Sequence, residues 1–206
     1  MKGLSNAVIT GVGGQGNVLA ARLLATVALE HGLEVTVGDV YGLTQRGGSV
    51  ASHVRWTKHS LPPPLVSQGS LDILVAFEPL EALRVQVRHG HPGTAALVND
   101  TSLLPIGAQA GRFSYPDETA LWSLLDGMTG TCLKIAGSQA ARDLGNIQVL
   151  NTVMLGALCG SGLTAFEAGA FRQVLRKELP ARFIDLNLEA FDKGLELGRI
   201  SGDAPV

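Results

Sequence analysis

The sequence predicts an α/β protein with a three-layer, doubly wound and mostly parallel sheet, followed by a C-terminal helical region. Short apolar runs typical of buried strands alternate with helical periodicity through the first half of the chain. A glycine-rich corner follows the first of these runs, and the last third has a helical pattern. We therefore expect one domain over residues 1–206, with the sheet in residues 1–137 and the helical region, residues 138–206, packed on it.

The composition suits a buried core and disfavours several classes of function. The 206 residues are 46% hydrophobic and 17% charged, with a formal net charge of −2, whereas nucleic-acid-binding proteins usually carry a basic surface. Cys132 and Cys159 cannot supply the four thiolates of an iron–sulfur cluster, and the five histidines lack zinc-ligand spacing. The chain starts without a signal-peptide pattern, and its longest apolar run, residues 149–159, is too short to cross a bilayer. We expect a cytoplasmic protein with no metal site of its own and with neither nucleic acid nor membrane as a partner.

The first half of the chain is expected to contain five strands and two helices. A helix ending near residues 31–32 joins the first two strands in a β-α-β unit, so these strands should be parallel. Proline in the first turn supports a short helix at residues 80–87. Three prolines exclude a central strand or helix at residues 61–66 and indicate an extended surface connection. The strands themselves are expected at residues 7–10, 34–38, 49–56, 72–77 and 94–98.

The strand at residues 49–56 alternates in polarity. Val54 and Trp56 lie on one face of it with Val50, whereas His53 and Arg55 lie on the other. This alternation predicts one covered face and one face that is either wet or in contact with a partner.

The second half is expected to be mostly helical. Ser138 is a candidate N-cap, and Thr164 with Glu167 fits a capping box. An edge strand is expected at residues 131–135, and the helices at residues 118–125, 138–144, 147–159, 164–179 and 181–197.

The glycine-rich corner after the first strand carries the strongest functional signal. Gly11, Gly13 and Gly16 fit G-x-G-x-x-G, the dinucleotide fingerprint of Rossmann-like folds. At a strand–turn–helix corner of this kind, free backbone N–H groups and the helix dipole favour a phosphate or another anion. Asp39 follows the second strand, where the fingerprint expects a ribose-binding carboxylate. The candidate ligand-binding residues here are Gly11, Gly13, Gly14, Gln15 and Gly16.

A second candidate stretch is Gln45, Arg46, Gly47 and Gly48. Arg46 offers a planar fork of donors to a phosphate or carboxylate, and the two glycines let the backbone approach a ligand. Alternatively, Arg46 pairs with a carboxylate such as Asp39, and the glycines only turn the chain.

Three segments should meet at the carboxyl edge of the sheet, where doubly wound folds bind ligands. They are residues 11–16, residues 39–48 and Glu78. A simpler interpretation of Glu78 is stabilisation of the following helix by a carboxylate at its N-terminus.

Taken together, these motifs resemble one family. Four segments of the chain carry the resemblance. In chain order they are GVGGQG, VGDVYGLTQRGGSVASHVR, VAFEPLEALR and NIQVLNTVMLGA. All four are similar to the gamma-type component of 2-oxoacid:ferredoxin oxidoreductases. The resemblance extends over residues 7–198, and a free-standing chain of this size is most similar to the beta subunit in indolepyruvate-type members. Asp39 departs from the pattern, in which a glutamate is expected.

The resemblance implies a subunit of a complex that converts a 2-oxoacid and coenzyme A to acyl-CoA and CO₂ while it reduces ferredoxin. It also implies that the substrate is an aryl pyruvate such as indolepyruvate. Thiamine diphosphate, magnesium and iron–sulfur clusters are then expected in the catalytic alpha subunit. This chain would carry no catalytic residue and be inactive alone, and its two glycine motifs would contact coenzyme A phosphates or the partner.

Two other classes of function remain open from the residues alone. G-x-G-x-x-G with Asp39 also fits an independent NAD(P)-binding oxidoreductase, although neither a substrate domain nor a proton donor is recognisable. The same residues fit a module that binds a nucleotide or coenzyme A for other proteins.

Overall fold

The computed structural model describes residues 4–42, 48–103 and 114–202. Within these ranges, six strands form one sheet, and seven α-helices and a 3-10 turn surround it. The strands are β1 (Leu4–Val12), β2 (Glu34–Tyr41), β3 (Ser49–Thr57), β4 (Ile73–Ala76), β5 (Ala95–Asn99) and β6 (Thr131–Ile135). The helices are α1 (Asn17–Glu30), α2 (Pro79–His89), α3 (Glu118–Met128), α4 (Gly137–Asp143), α5 (Leu150–Gly160), α6 (Ala168–Glu178) and α7 (Ala181–Gly202), with the 3-10 turn at Ile147–Val149.

The sheet is mixed, with the strand order β2-β3-β1-β4-β5-β6. β1, β4, β5 and β6 are parallel neighbours, whereas β3 is antiparallel to both β1 and β2. β1 and β2 therefore run in the same direction, as expected, but β3 lies between them. The connection from β2 to β3 is short. A short connection favours antiparallel neighbours, because parallel neighbours need a long crossover between them.

Alternate strand residues face two separate cores, which gives the three expected layers. Ile9 and Val75 pack with α1, α5 and α6 on one face of the sheet, called here the α1 face. Val8 and Leu74 pack with α2 and α3 on the other, called the α2 face. The period of two along each strand sets this division.

Helices α5 and α7 cross at unusually short range because each carries two glycines four residues apart. These are Gly156 and Gly160 on α5, and Gly194 and Gly198 on α7. A Cβ on Gly194 would overlap the Val153 carbonyl oxygen, and the other three glycines face a backbone carbonyl of the opposite helix in the same way. The close approach therefore depends on the absence of side chains at all four positions.

The polar face of β3 is buried by the chain itself at His53 and Arg55, so the expectation that it is wet is wrong at these two residues. Arg55 is 6% exposed and His53 is 2% exposed. The segment of residues 61–66 covers them. Arg55 donates hydrogen bonds to the carbonyl oxygens of Pro63 (2.8 Å) and Leu65 (3.0 Å), and His53 Nδ1 accepts one from the Val66 N–H (3.1 Å). Arg55 Nε also donates to Asn6 Oδ1 at 2.8 Å.

Two predicted helix caps are wrong. The helix after residue 164 begins at Ala168 with Glu167 as its N-cap, and Glu167 makes no side-chain capping bond. Thr164 Oγ1 instead accepts a hydrogen bond from the Phe166 N–H at 3.3 Å. Ser138 lies inside α4 rather than at its cap. Among the described helices, none is both long and apolar enough to cross a membrane.

The buried His53 makes stability dependent on pH. Burial, followed by the neighbouring His89 and Arg55 charges, lowers the pKa of His53 to about 4, with Asp39 acting in the opposite direction. The unfolded chain binds this proton more tightly than the folded one. The contribution of neutral His53 to the free energy of unfolding is therefore fully present above pH 6.5 and is lost as the pH falls towards 4. The loss attributable to His53 should be about 2–3 kcal/mol.

Urea unfolding at several pH values tests this expectation, with His53→Asn as the matched variant. The asparagine oxygen can replace Nδ1 as the acceptor for the Val66 N–H, but it does not titrate. Between pH 6.5 and 4.5 the free energy of unfolding should fall less in His53→Asn than in the parent chain. If it falls equally in both, carboxylates alone cause the loss of stability in acid.

Candidate functional site

The glycine corner links the carboxyl ends of β1 and β4 through the side chain of Gln15. Gln15 Oε1 accepts a hydrogen bond from the Val12 N–H at 2.7 Å, and Nε2 donates one to the Phe77 carbonyl oxygen at 3.1 Å. A Cβ on Gly11 would lie 2.5 Å from Gln15 Oε1. Gly11 is therefore required to admit the Gln15 side chain, which fixes the shape of the loop.

The N-terminus of α1 opens at this corner. Gly16 is the N-cap, with φ +86°, and it provides no side-chain cap. The first turn contains no acidic residue. The first-turn N–H groups of a helix have no partner within that helix, so this end can accept an anion.

The first helical residue, Asn17, adds an unsatisfied polar group to the corner. It is 3% exposed, and its Oδ1 has no hydrogen-bond partner among the described residues. Buried amide oxygens are normally hydrogen-bonded.

The second glycine-rich stretch meets the first through the backbone. The Gly13 N–H donates to the Gly48 carbonyl oxygen at 2.8 Å. Gln45, Arg46 and Gly47 lie outside the described residues. Asp39 accepts a hydrogen bond from Ser52 Oγ at 2.5 Å, so its carboxylate has a partner on the adjacent strand β3.

Glu78, at the end of β4, is the N-cap of α2. Its Oε2 accepts a hydrogen bond from the Glu81 N–H at 2.9 Å, and its Oε1 accepts one from the Tyr115 hydroxyl. Glu78 is fully buried, and this burial raises the pKa of its carboxyl group above the ordinary value. The capping role proposed from sequence is confirmed. It also closes the N-terminus of α2 to any other anion.

A further polar network that sequence analysis missed connects β5 to α4. Asn99 Nδ2 donates to Ser138 Oγ (3.0 Å) and to the Phe77 carbonyl oxygen (3.1 Å), while the Ser138 N–H donates to Asn99 Oδ1 (2.9 Å). The Phe77 carbonyl thus accepts bonds from both Gln15 and Asn99. The position of Asn99 at a strand end was the available sequence signal, but its partner is 39 residues away.

The predicted convergence at the carboxyl edge is present where the structure describes it. Six of the nine candidate residues are described, namely Gly11, Gly13, Gly14, Gln15, Gly16 and Gly48. They lie together, and Gln15 reaches the residue before Glu78. Their contact with a ligand stays a prediction.

The two cysteines lie away from this corner, on β6 and at the end of α5. Burial raises the pKa of Cys132 to about 12 and also raises that of Cys159. Both are therefore thiols at neutral pH. In the part of the chain that is described, no group of three or more His, Cys, Asp or Glu residues is arranged to hold a metal ion.

The sheet has helices on both faces and an uncapped helix N-terminus at the carboxyl ends of its strands, which defines an α/β protein of the doubly wound class. The family model for pyruvate ferredoxin/flavodoxin oxidoreductase matches residues 6–197. The chain belongs to this family.

The similar proteins include subunits of named oxidoreductases. Indolepyruvate oxidoreductase subunit IorB of Pyrococcus horikoshii is 33% identical over 195 residues, which span 94% of this chain and 96% of that protein. The subunit of the same name from Thermococcus kodakarensis has the same identity and coverage. Among solved structures, the gamma subunit of the keto/oxoacid ferredoxin oxidoreductase from Geobacter sulfurreducens superposes with a TM-score of 0.69. It is 25% identical, with coverage of 97% of this chain and 98% of that chain.

Proposed function

We propose that this chain is the non-cofactor subunit of a thiamine-dependent 2-oxoacid:ferredoxin oxidoreductase that acts on indolepyruvate and related aryl pyruvates. The observation that carries the proposal is the match to indolepyruvate oxidoreductase subunits over nearly the full length of both chains. The complex would work in the cytoplasm, where it would form acyl-CoA and CO₂ and pass electrons to ferredoxin.

The redox cofactors belong, in this proposal, to the catalytic subunit. A cluster with four cysteine ligands needs twice the two cysteines that the whole sequence contains. Both cysteines are held as thiols, whereas the metal-binding form is the thiolate. Thiamine diphosphate is normally held through a magnesium ion, which takes oxygen ligands. Among the described residues, no cluster of three or more His, Cys, Asp or Glu side chains is arranged for a metal ion, and we assign thiamine diphosphate, magnesium and the clusters to the partner.

The contribution of this chain is then to bind and position coenzyme A at the interface. The N-terminus of α1 has no side-chain cap and no acidic residue in its first turn, which favours a phosphate. The N-terminus of α2 lies at the same edge but is occupied by the Glu78 carboxylate. Only the first of these two helix ends therefore suits the coenzyme A phosphates.

The dinucleotide alternative receives less support from the corner. Gln15 spans the carboxyl ends of β1 and β4 and is held by a hydrogen bond at each end. A dinucleotide normally crosses a doubly wound sheet between the loops at such a point. In this chain the Gln15 side chain lies at that point, and a dinucleotide could cross only if both of the Gln15 hydrogen bonds were broken.

We expect Arg46→Ala to lower the activity of the assembled complex while this subunit stays folded. Removal of one charge-assisted hydrogen bond costs roughly 1.5–3 kcal/mol, or about ten- to a hundredfold in affinity. If Arg46 binds coenzyme A, the KM for coenzyme A rises and the complex stays intact. If it holds the interface, the subunits separate more readily on a sizing column.

The matched control for this experiment is Arg176→Ala, at an exposed arginine on α6. It should leave the KM and the assembly unchanged, since an isolated surface charge contributes little. An Arg46→Ala subunit that folds, assembles and turns over like the control would remove Arg46 from the proposed site.

A further inference from the structure

A groove runs along one corner of the sheet, on the α2 face between α2 and the β2–β3 pair. Its volume is about 840 Å³. Three of its large apolar side chains are exposed to solvent, at fractions of 39% for Val40, 48% for Leu65 and 66% for Val87. Single exposed apolar residues are ordinary, but several around one concave surface indicate a contact site.

The groove lies where the helical layer on the α2 face, in the part of the chain that the structure describes, does not extend over β2 and β3. α2 packs on β1, β4 and β5, and α3 packs on α2 and β6. Among the described helices, none packs comparably on β2 and β3 on this face. They are covered in part by the segment of residues 61–66, through the Arg55 and His53 bonds and through Thr36 Oγ1, which donates to the Pro62 carbonyl oxygen at 2.9 Å. The remaining space lies beside α2, where a further helix would complete the layer.

One rim of the groove carries a positive charge, on Arg88, that is unpaired among the described residues, although the protein as a whole is acidic. Arg84 and Arg88 lie one turn apart on α2 and line the groove, and its described lining contains no aspartate or glutamate. Arg84 pairs with Glu81 at 2.5 Å. Arg88 is exposed and forms no ion pair within the described residues. A partner with carboxylates along one side would therefore match this rim.

The groove is also continuous with the candidate site. Gly42 and Ser49, which line its end, are joined by a backbone hydrogen bond of 2.8 Å from the Gly42 N–H to the Ser49 carbonyl oxygen. The next residue towards the glycine corner, Gly48, bonds to Gly13. A segment in the groove would thus end beside the proposed coenzyme A position.

We infer that this groove receives an amphipathic helix from the catalytic subunit, with its apolar side on Val40, Leu65 and Val87 and its acidic side against Arg88. The inference rests on the proposed function, because it takes the catalytic subunit as the source of the helix. It identifies a second contact surface, which lies beside the proposed coenzyme A position but is separate from it.

The test measures the dissociation constant between this chain and the purified thiamine-containing subunit by calorimetry. Arg88→Glu should weaken binding at least tenfold, because it places a like charge against the acidic helix, and Val87→Asp should do the same. Arg176→Glu is the matched control, since Arg176, like Arg88, is an exposed arginine in the last turn of a helix. It should change the dissociation constant less than threefold. Circular dichroism of each variant verifies that it is folded.

A second measurement identifies the occupant. Val87→Cys, labelled with a photoreactive group and irradiated in the assembled complex, should form crosslinks to a helical peptide of the catalytic subunit that is rich in aspartate and glutamate. Crosslinking to a second copy of this chain, or to a peptide without acidic residues, would overturn the inference.

The two possible failures are distinguishable. A complex that forms, turns over and is indifferent to both Arg88→Glu and Val87→Asp contradicts the groove alone and leaves the proposed function intact. If the parent chain neither binds nor activates the thiamine-containing subunit, the proposed function is wrong, and the inference is wrong with it.

Discussion

Replacing Gly194 by alanine is expected to destabilise the chain by about 3–5 kcal/mol, or to prevent the C-terminal helices from packing. The added Cβ would overlap the Val153 carbonyl oxygen of the facing helix. A backbone carbonyl cannot rotate away as a side chain can, so α5 and α7 would have to separate. The buried residues between them, Phe191 and Val153 included, would then lose packing contacts. The measurement is the free energy of unfolding in urea, followed by circular dichroism.

The matched controls are Gly127→Ala and Gly169→Ala. Both glycines lie in helices, and a Cβ at either position would meet no atom within 4 Å. Because alanine is the better helix former, these variants should be unchanged or up to about 1 kcal/mol more stable. Gly194→Ala with the stability of these controls would mean that α5 and α7 do not cross at the short range described.

Gly16→Ala is the second substitution with a large expected effect, about 2–4 kcal/mol of stability together with a raised KM for coenzyme A in the complex. Gly16 has φ +86°, which costs a side-chain-bearing residue about 1–2 kcal/mol. Its Cβ would also lie 2.8 Å from Asn151 Nδ2 and 3.1 Å from Asn151 Cβ. Relief of this contact would shift the N-terminus of α1, which is the proposed phosphate position.

Gly14→Ala separates the backbone cost of a positive φ from the effect of the contact with Asn151. Gly14 also has a positive φ, +106°, but a Cβ there would meet no atom within 4 Å. It should therefore show the backbone cost without the steric one. Urea unfolding of both variants, with coenzyme A titrations of both complexes, provides the comparison. Equal losses in the two variants would show that the contact with Asn151 is unimportant.

Local signals made much of this fold predictable. Three such signals act on residues close to them in sequence: the proline at the start of α2, the β-branched residues in β1 and the glycines of the corner. The helix, the strand and the turn that they predicted are confirmed. The edge position of β6 was also predicted. The capping box at Thr164 was wrong although its pattern is local, because residues 163–167 remain non-helical and Phe166 is buried in the core instead.

Features that depend on distant contacts were not predictable in the same way. The alternation in β3 indicated correctly that His53 and Arg55 share a face, but not that the proline-rich segment would cover it. Tyr115 meets Glu78 across 37 residues of sequence. The close crossing of α5 and α7 was not predicted, although the sequence carries a signal for it. Gly156 with Gly160 and Gly194 with Gly198 each form a G-x-x-x-G pattern.

The most direct test of the central claim is reconstitution with the thiamine-containing catalytic subunit. Ferredoxin reduction is measured with indolepyruvate and coenzyme A for each subunit alone and for the mixture. We expect no turnover by this chain alone and full, coenzyme A-dependent turnover only in the mixture. Turnover of a substrate by this chain alone with NAD⁺ or NADP⁺, or full activity of the catalytic subunit in its absence, would contradict the proposed function.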